Sequence, residues 1–104
     1  MEIAIWQAPD GAEFEWDPAK AMANLLKHKV PFRIACEVFK DVNRLERIDA
    51  SGGYGEERWI VLGCVEQKIL SVVYTLRGKR IRIISARRAT RNEQRTYWTG
   101  EIPS

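Results

Sequence analysis

Between Arg77 and Arg95 the chain carries seven arginines and one lysine against a single acid, Glu93. That window is net +7 in a chain whose total is only +3, which leaves the remainder at −4. So localised a cationic field expects a polyanion, and nucleic-acid phosphate is the usual one. Arginine dominates, and its planar fork of donors grips two phosphate oxygens at once. Left uncompensated, like charge at this density costs stability, so the cluster needs a reason. Upstream, Glu56-Glu57-Arg58-Trp59 sets a carboxylate, a guanidinium and an indole in succession. Those are the groups needed to orient a 2′-hydroxyl, neutralise a phosphate and stack on a base. The same four residues also fit a strand start with a surface ion pair and an inward-packed tryptophan. His28, the only histidine, reads either as a general acid or base or as a cation at a helix C-terminus.

The rest of the composition narrows the class by exclusion. Cys36 and Cys64 stand apart in apolar surroundings with no Cys-x-x-Cys spacing, so two buried free thiols are expected rather than a zinc site or a disulfide. No metal and no cofactor enter the reading. No apolar run approaches the roughly 20 residues that span a bilayer, and the opening Met-Glu-Ile-Ala-Ile-Trp lacks the basic and apolar regions of a signal peptide. A soluble cytoplasmic protein without a membrane partner is the expectation. At 104 residues the chain is expected to form one domain, with residues 1–12 as an N-terminal extension, 13–98 as the core and 99–104 as a tail that frays.

The elements that must position these groups follow from periodicity. Ile3 and Ile5 lead to the turn signal Pro9-Asp10-Gly11, giving an edge strand or a loose arm. Glu13–Trp16 alternates as a short strand, and Asp17-Pro18 supplies an N-cap with proline in the first turn. A helix is predicted from Pro18 to about Lys27, with Ala19, Met22, Ala23 and Leu26 at helical spacing on one face and Lys20, Asn24 and Lys27 elsewhere. Val30-Pro31 breaks it, and Phe32, Ala35, Cys36, Val38 and Phe39 predict a second helix ending at Lys40-Asp41. The pattern then shifts to period two. Strands are predicted at Arg44–Asp49, Arg58–Cys64, Ile69–Leu76 and Arg80–Arg87, with a glycine-rich loop over Ala50–Gly55 and short polar turns that require antiparallel neighbours. Thr90-Arg-Asn-Glu93 is a capping box opening a last helix over Arg91–Trp98. The fold class expected is α+β: two N-terminal helices packed on a twisted antiparallel β-meander, with a short C-terminal helix.

Regular alternation along Arg80–Arg87 sends Arg80, Arg82 and Ile84 to one face and Ile81, Ile83, Ser85 and Arg87 to the other. Arg82 and Arg87 therefore share a face only if a bulge or the strand end reorients the chain between Ser85 and Arg88.

Six fragments, taken together, resemble the BrnT family of toxins from type II toxin–antitoxin systems. They are Phe14-Glu-Trp-Asp17-x-x-Lys20, Asn24-x-x-Lys27-His28-x-Val30, Phe32-x-x-Ala35-x-x-Val38-Phe39-x-Asp41, Glu57-Arg58-x-x-x-x-Gly63, Val72-Val-Tyr74-Thr75-x-Arg77 and Arg82-Ile-Ile-Ser-Ala-Arg87-Arg-Ala89-x-x-x-Glu93-x-x-x-Tyr97. Pro31 departs from the small polar helix cap that the family often has there. The resemblance implies a RelE-like fold and a ribonuclease that arrests translation. It also implies a BrnA-like ribbon-helix-helix antitoxin as partner, which holds the toxin inactive and carries the complex to operator DNA. Carried over by position, it nominates Arg58, Arg77 and Arg87, with Lys27, His28, Glu57 and Arg82 behind them. Arg88, Trp59 and Tyr97 join Lys27 and Arg82 as RNA-binding candidates.

The chemistry so implied is metal-free attack of a ribose 2′-oxygen on the adjacent phosphorus. Arg58 and Arg87 would neutralise the phosphorane, Arg77 and Arg82 would position the backbone, and Glu57 or His28 would move the proton. Two other readings use the same surface: a non-catalytic nucleic-acid-binding module, and an interaction domain that docks an acidic partner.

Overall fold

The computed structural model describes residues 2–50 and 56–100. The order of elements is β1 (Ala4–Gln7), β2 (Glu13–Trp16), α1 (Pro18–His28), α2 (Phe32–Ala35) running into a 3₁₀ turn (Cys36–Lys40), β3 (Leu45–Ile48), β4 (Trp59–Val65), β5 (Lys68–Arg77), β6 (Arg80–Arg88) and α3 (Arg91–Thr99). The expected loop lies largely outside the described residues, at 51–55, and so does the tail at 101–104.

The α+β class holds, with two corrections. First, β3 to β6 form the expected antiparallel meander, but the whole sheet is mixed and six-stranded, in the order β1-β2-β6-β5-β4-β3. The β1–β2 hairpin joins it through a parallel pairing of β2 with β6, Phe14 opposite Ile81 and Glu15 opposite Arg82. Phe14, 2% exposed, belongs to the main core, so β2 fills what would be a bare edge of the meander. The Ile3–Ile5 region is thus an edge strand rather than an arm.

Second, the helical pair differs from expectation in both members. The second helix is a single α turn that tightens into 3₁₀ geometry. Its most buried side chains, Phe32, Ala35 and Val38, recur every third residue, and a three-residue turn stacks such a series on one face. The first helix has the expected limits and Asp17 cap but is turned about its axis. Met22 and Leu26, on the apolar face of the pattern that would ordinarily meet a core, are 58% and 68% exposed, while Asn24 is 7% exposed. Asn24 decides this orientation. Its amide nitrogen donates to the carbonyls of Val30 (3.0 Å) and Ala86 (2.8 Å), and its oxygen accepts from the Ala86 amide at 3.0 Å. Because β2 pairs with β6 only at Ile81 and Arg82, no strand among the described residues lies beside the outer edge of β6 at Ala86. The Asn24 amide stands in for the missing peptide group.

The main core lies under α1, α2 and the 3₁₀ turn, with Val61, Val72, Ile83 and Ala86 on the sheet side. Gly63 lets the 3₁₀ turn touch the sheet, since a Cβ there would sit 2.7 Å from the Val38 Cβ. On the opposite face a smaller cluster of Leu62, Ile69, Ala89 and Tyr97 seats α3 over one end of the sheet. Among the described residues no helix covers the remainder of that second face.

Candidate functional site

Strand register determines which arginines share the uncovered face. On β5, Ser71, Val73 and Thr75 alternate with core residues and point the same way. Thr75 pairs with Arg82, Val73 with Ser85 and Ser71 with Arg87. That is possible only because Ile84 is an extra residue: Ile83 pairs with Tyr74 and Ser85 with Val73, a bulge between them. The bulge falls one step before the Ser85–Arg88 window in which a reorientation was expected. It puts Arg82, Ser85 and Arg87 on one face, with Arg77 beyond Thr75 on β5. Ile60 and Arg47 continue the Val73 row across β4 and β3. Arg58 directly precedes β4, one residue beyond the Trp59–Tyr74 pair and so beside Thr75. The Thr75 hydroxyl donates to the Glu57 carbonyl at 2.7 Å, pinning the Glu57-Arg58 segment to the sheet. Glu57 is itself exposed.

The arginine field is largely compensated by acids from elsewhere in the chain. Arg87 grips Glu93 with both forks, Nη1 to Oε1 at 2.7 Å and Nη2 to Oε2 at 3.0 Å. Glu93 also accepts from the Thr90 amide in the expected capping box. These bonds, the Arg87 pair first, hold the Glu93 carboxyl below its ordinary value, and the same contact raises Arg87. Arg82 pairs with Glu15, 7% exposed, at 2.7 Å. Arg80 reaches Glu13 and Glu15, Lys79 reaches Glu13, and Arg77 reaches Glu56 at 2.8 Å. Arg88, Arg91 and Arg95 are exposed and make no ion pair among the described residues.

The other candidates lie elsewhere. His28 ends α1 and lines a cleft of about 190 Å³ with Lys29, Glu66, Lys68 and Arg88, on the helix-covered side of the sheet. Lys27 is exposed beside it. The structure thus divides the nominated residues: Arg58, Arg77, Arg82 and Arg87 share one face, whereas Lys27, His28 and Arg88 gather at the edge of the other. Trp59 packs against the main core. Tyr97 is 7% exposed and donates to Asp41 Oδ2 at 2.6 Å, with burial chiefly and this bond pushing its hydroxyl pKa up. Packing accounts for both aromatics. Asp41 ties the 3₁₀ turn to β4 through the Cys64 amide at 2.7 Å, and its bonds more than offset burial to keep its carboxyl low. Both cysteines are free thiols; Cys36 is buried, and burial pushes it up to about 12, while Cys64 is only partly buried.

Sequence reasoning missed Glu15 and Glu93 as anchors for Arg82 and Arg87. The Glu93 cap was legible, but its second bond depends on α3 folding back across β6. It also missed a cleft of about 260 Å³ beside Arg87, floored by Leu45, Ile60 and Leu62 and rimmed by Arg47, Asn92, Glu93 and Thr96. Among the described residues no group of three His, Cys, Asp or Glu side chains is placed to hold a metal ion, and no helix is long and apolar enough to cross a membrane.

Residues 16–93 match the family described as ribonuclease toxin, BrnT, of type II toxin–antitoxin system. The chain belongs to the BrnT family. Membership makes it a ribonuclease toxin by class, with RNA as substrate and an antitoxin as partner. The match begins at the end of β2 and ends at Glu93, so it spans the bulge, the arginine face and the residue that anchors Arg87. Comparison with curated proteins gives no match.

Proposed function

We propose that this BrnT chain is a RelE-like endoribonuclease that cuts messenger RNA in the cytoplasm on its uncovered sheet face, without a metal ion, and so arrests translation. The observation that carries the proposal is the bulge at Ile84, which brings Arg82 and Arg87 onto the face that Arg58 and Arg77 share. The scissile phosphate lies between Arg58 and Arg87, whose guanidinium groups neutralise the charge gained as the 2′-oxygen attacks. Glu57, exposed beside Arg58, takes the 2′-proton; His28 sits on the opposite side of the sheet, which favours Glu57 for that role. The 2′-oxygen–phosphorus bond forms, the phosphorus–O5′ bond breaks, and O5′ takes a proton from water at this open face. The products are a 2′,3′-cyclic phosphate and a 5′-hydroxyl. Arg77 and Arg82 position the backbone, a base flanking the cut enters the cleft floored by Ile60 and Leu62, and Lys27 and Arg88 extend the contact around the sheet edge.

In this account a BrnA-like ribbon-helix-helix antitoxin neutralises the toxin and carries the complex to operator DNA. The test is cleavage of a single-stranded RNA in EDTA with analysis of the new ends. A 2′,3′-cyclic phosphate formed in chelator is expected. Activity that vanishes in EDTA and returns with a divalent cation refutes the metal-free step, and salt-sensitive RNA binding with no cleavage at all favours the non-catalytic module.

A further inference from the structure

Helix α1 carries an amphipathic pattern that the fold does not use. Ala19, Met22, Ala23 and Leu26 stand at i, i+3, i+4 and i+7, which at about 100° per residue gathers them into a stripe about 100° wide, the width that ordinarily faces a core. Here the stripe points to solvent, directly opposite Asn24, with Met22 58% and Leu26 68% exposed. A run of apolar residues held in register on the outside of a helix is an interaction surface without its partner.

Its relief and charge describe that partner. Met22 and Leu26, four apart, form a ridge, and Ala19 and Ala23, also four apart, form the groove beside it. Ridge and groove together accept a second helix in 4-4 packing. Methionine adapts to such a contact. Lys20 and Lys27, two turns apart, lie along the same flank of the stripe, and α1 contains no acid. Two copies of α1 packed antiparallel would bring lysine against lysine, which disfavours self-association. A stripe of two alanines, one leucine and one methionine, without an aromatic residue, offers little to a bilayer interface.

We propose that the outward stripe of α1 docks an acidic amphipathic helix of the antitoxin, with Glu or Asp along one flank of that helix meeting Lys20 and Lys27. This places a toxin–antitoxin contact on the helix layer, the side of the sheet away from Arg82 and Arg87. It rests on the reading of the chain as a toxin with a protein antitoxin, but not on the cleavage mechanism.

The probe is the purified cognate antitoxin, titrated against wild type and the variants Met22→Glu, Leu26→Glu and Val42→Glu. Val42, 89% exposed in the loop after the 3₁₀ turn, is the control. All three positions are exposed, and circular dichroism confirms that each variant folds. Affinity weakened about tenfold or more by Met22→Glu and Leu26→Glu, unchanged by Val42→Glu and with RNA cleavage retained, is the expected result. Unchanged affinity in both stripe variants overturns the proposal. So does a dimer in sedimentation velocity that Leu26→Glu abolishes, which makes the occupant a second copy. Binding to vesicles of equal parts phosphatidylcholine and phosphatidylglycerol that Leu26→Glu abolishes makes it a membrane and overturns it too. A chain that never cleaves RNA but loses antitoxin affinity as expected removes the mechanism and leaves this surface standing.

Discussion

Replacing Asn24 with leucine, close in volume but without polar atoms, should destabilise the protein sharply and loosen the strand that carries Arg87. Asn24 is 7% exposed and makes three hydrogen bonds, to Val30 O, Ala86 O and Ala86 N. In Asn24→Leu both backbone groups of Ala86 lose their partner on the edge that β2 does not reach. A buried polar group left unsatisfied costs about 1–3 kcal/mol, so the three that lose Asn24, each at the lower end, give a loss of about 3 kcal/mol. For a chain of this size that lowers Tm by roughly 12–24 °C. Chemical denaturation with an unchanged m-value, together with faster amide exchange across Ser85–Arg88, would report it. A loss below about 1 kcal/mol, or unchanged exchange at Ala86, refutes the claim that the Asn24 amide replaces a strand at that edge.

The Arg87–Glu93 pair makes a pH prediction. Because the folded state depresses Glu93 below its ordinary 4.5, its contribution is complete above that value and is lost as pH falls through the lowered folded value. The pair is partly exposed, so solvent screening holds Glu93→Gln, which keeps a capping acceptor, to about 0.5 kcal/mol at neutral pH; the difference from wild type should close in acid denaturation series. Glu93→Ala loses the cap as well and should cost about 1–2 kcal/mol in urea denaturation, again at neutral pH. Gly63→Ala drives a Cβ to 2.7 Å from Val38 Cβ and 3.1 Å from its backbone, which cannot retreat, so equilibrium unfolding should show about 1–3 kcal/mol of destabilisation.

The parts of the fold written in short-range pattern were legible in the sequence. Alternation located β3 to β6 within a residue or two, Asp17-Pro18 marked the start of α1, and Thr90-x-x-Glu93 marked that of α3. What was not legible depends on partners distant in sequence. The apolar stripe of α1 is as regular as that of a core helix, and only the empty edge of β6 explains why Asn24 faces inward instead. The parallel pairing of β2 with β6 joins residues separated by the whole helical layer. For the site, Arg82 and Arg87 were legible as residues and the need for a bulge as a condition. That Ile84 supplies it, and that Glu15 and Glu93 hold the two guanidinium groups, required the strand register.

If the uncovered face cuts RNA through Arg87, the reaction must slow sharply when that guanidinium is removed. The most direct test is single-turnover cleavage of an RNA oligonucleotide by wild type, Arg87→Ala and His28→Ala, each verified as folded. The rate should fall about 100-fold or more for Arg87→Ala, as for loss of a transition-state donor, and change little for His28→Ala. Cleavage and growth arrest undiminished in Arg87→Ala, or lost in His28→Ala with Arg87→Ala intact, would contradict it and move the chemistry to the other side of the sheet.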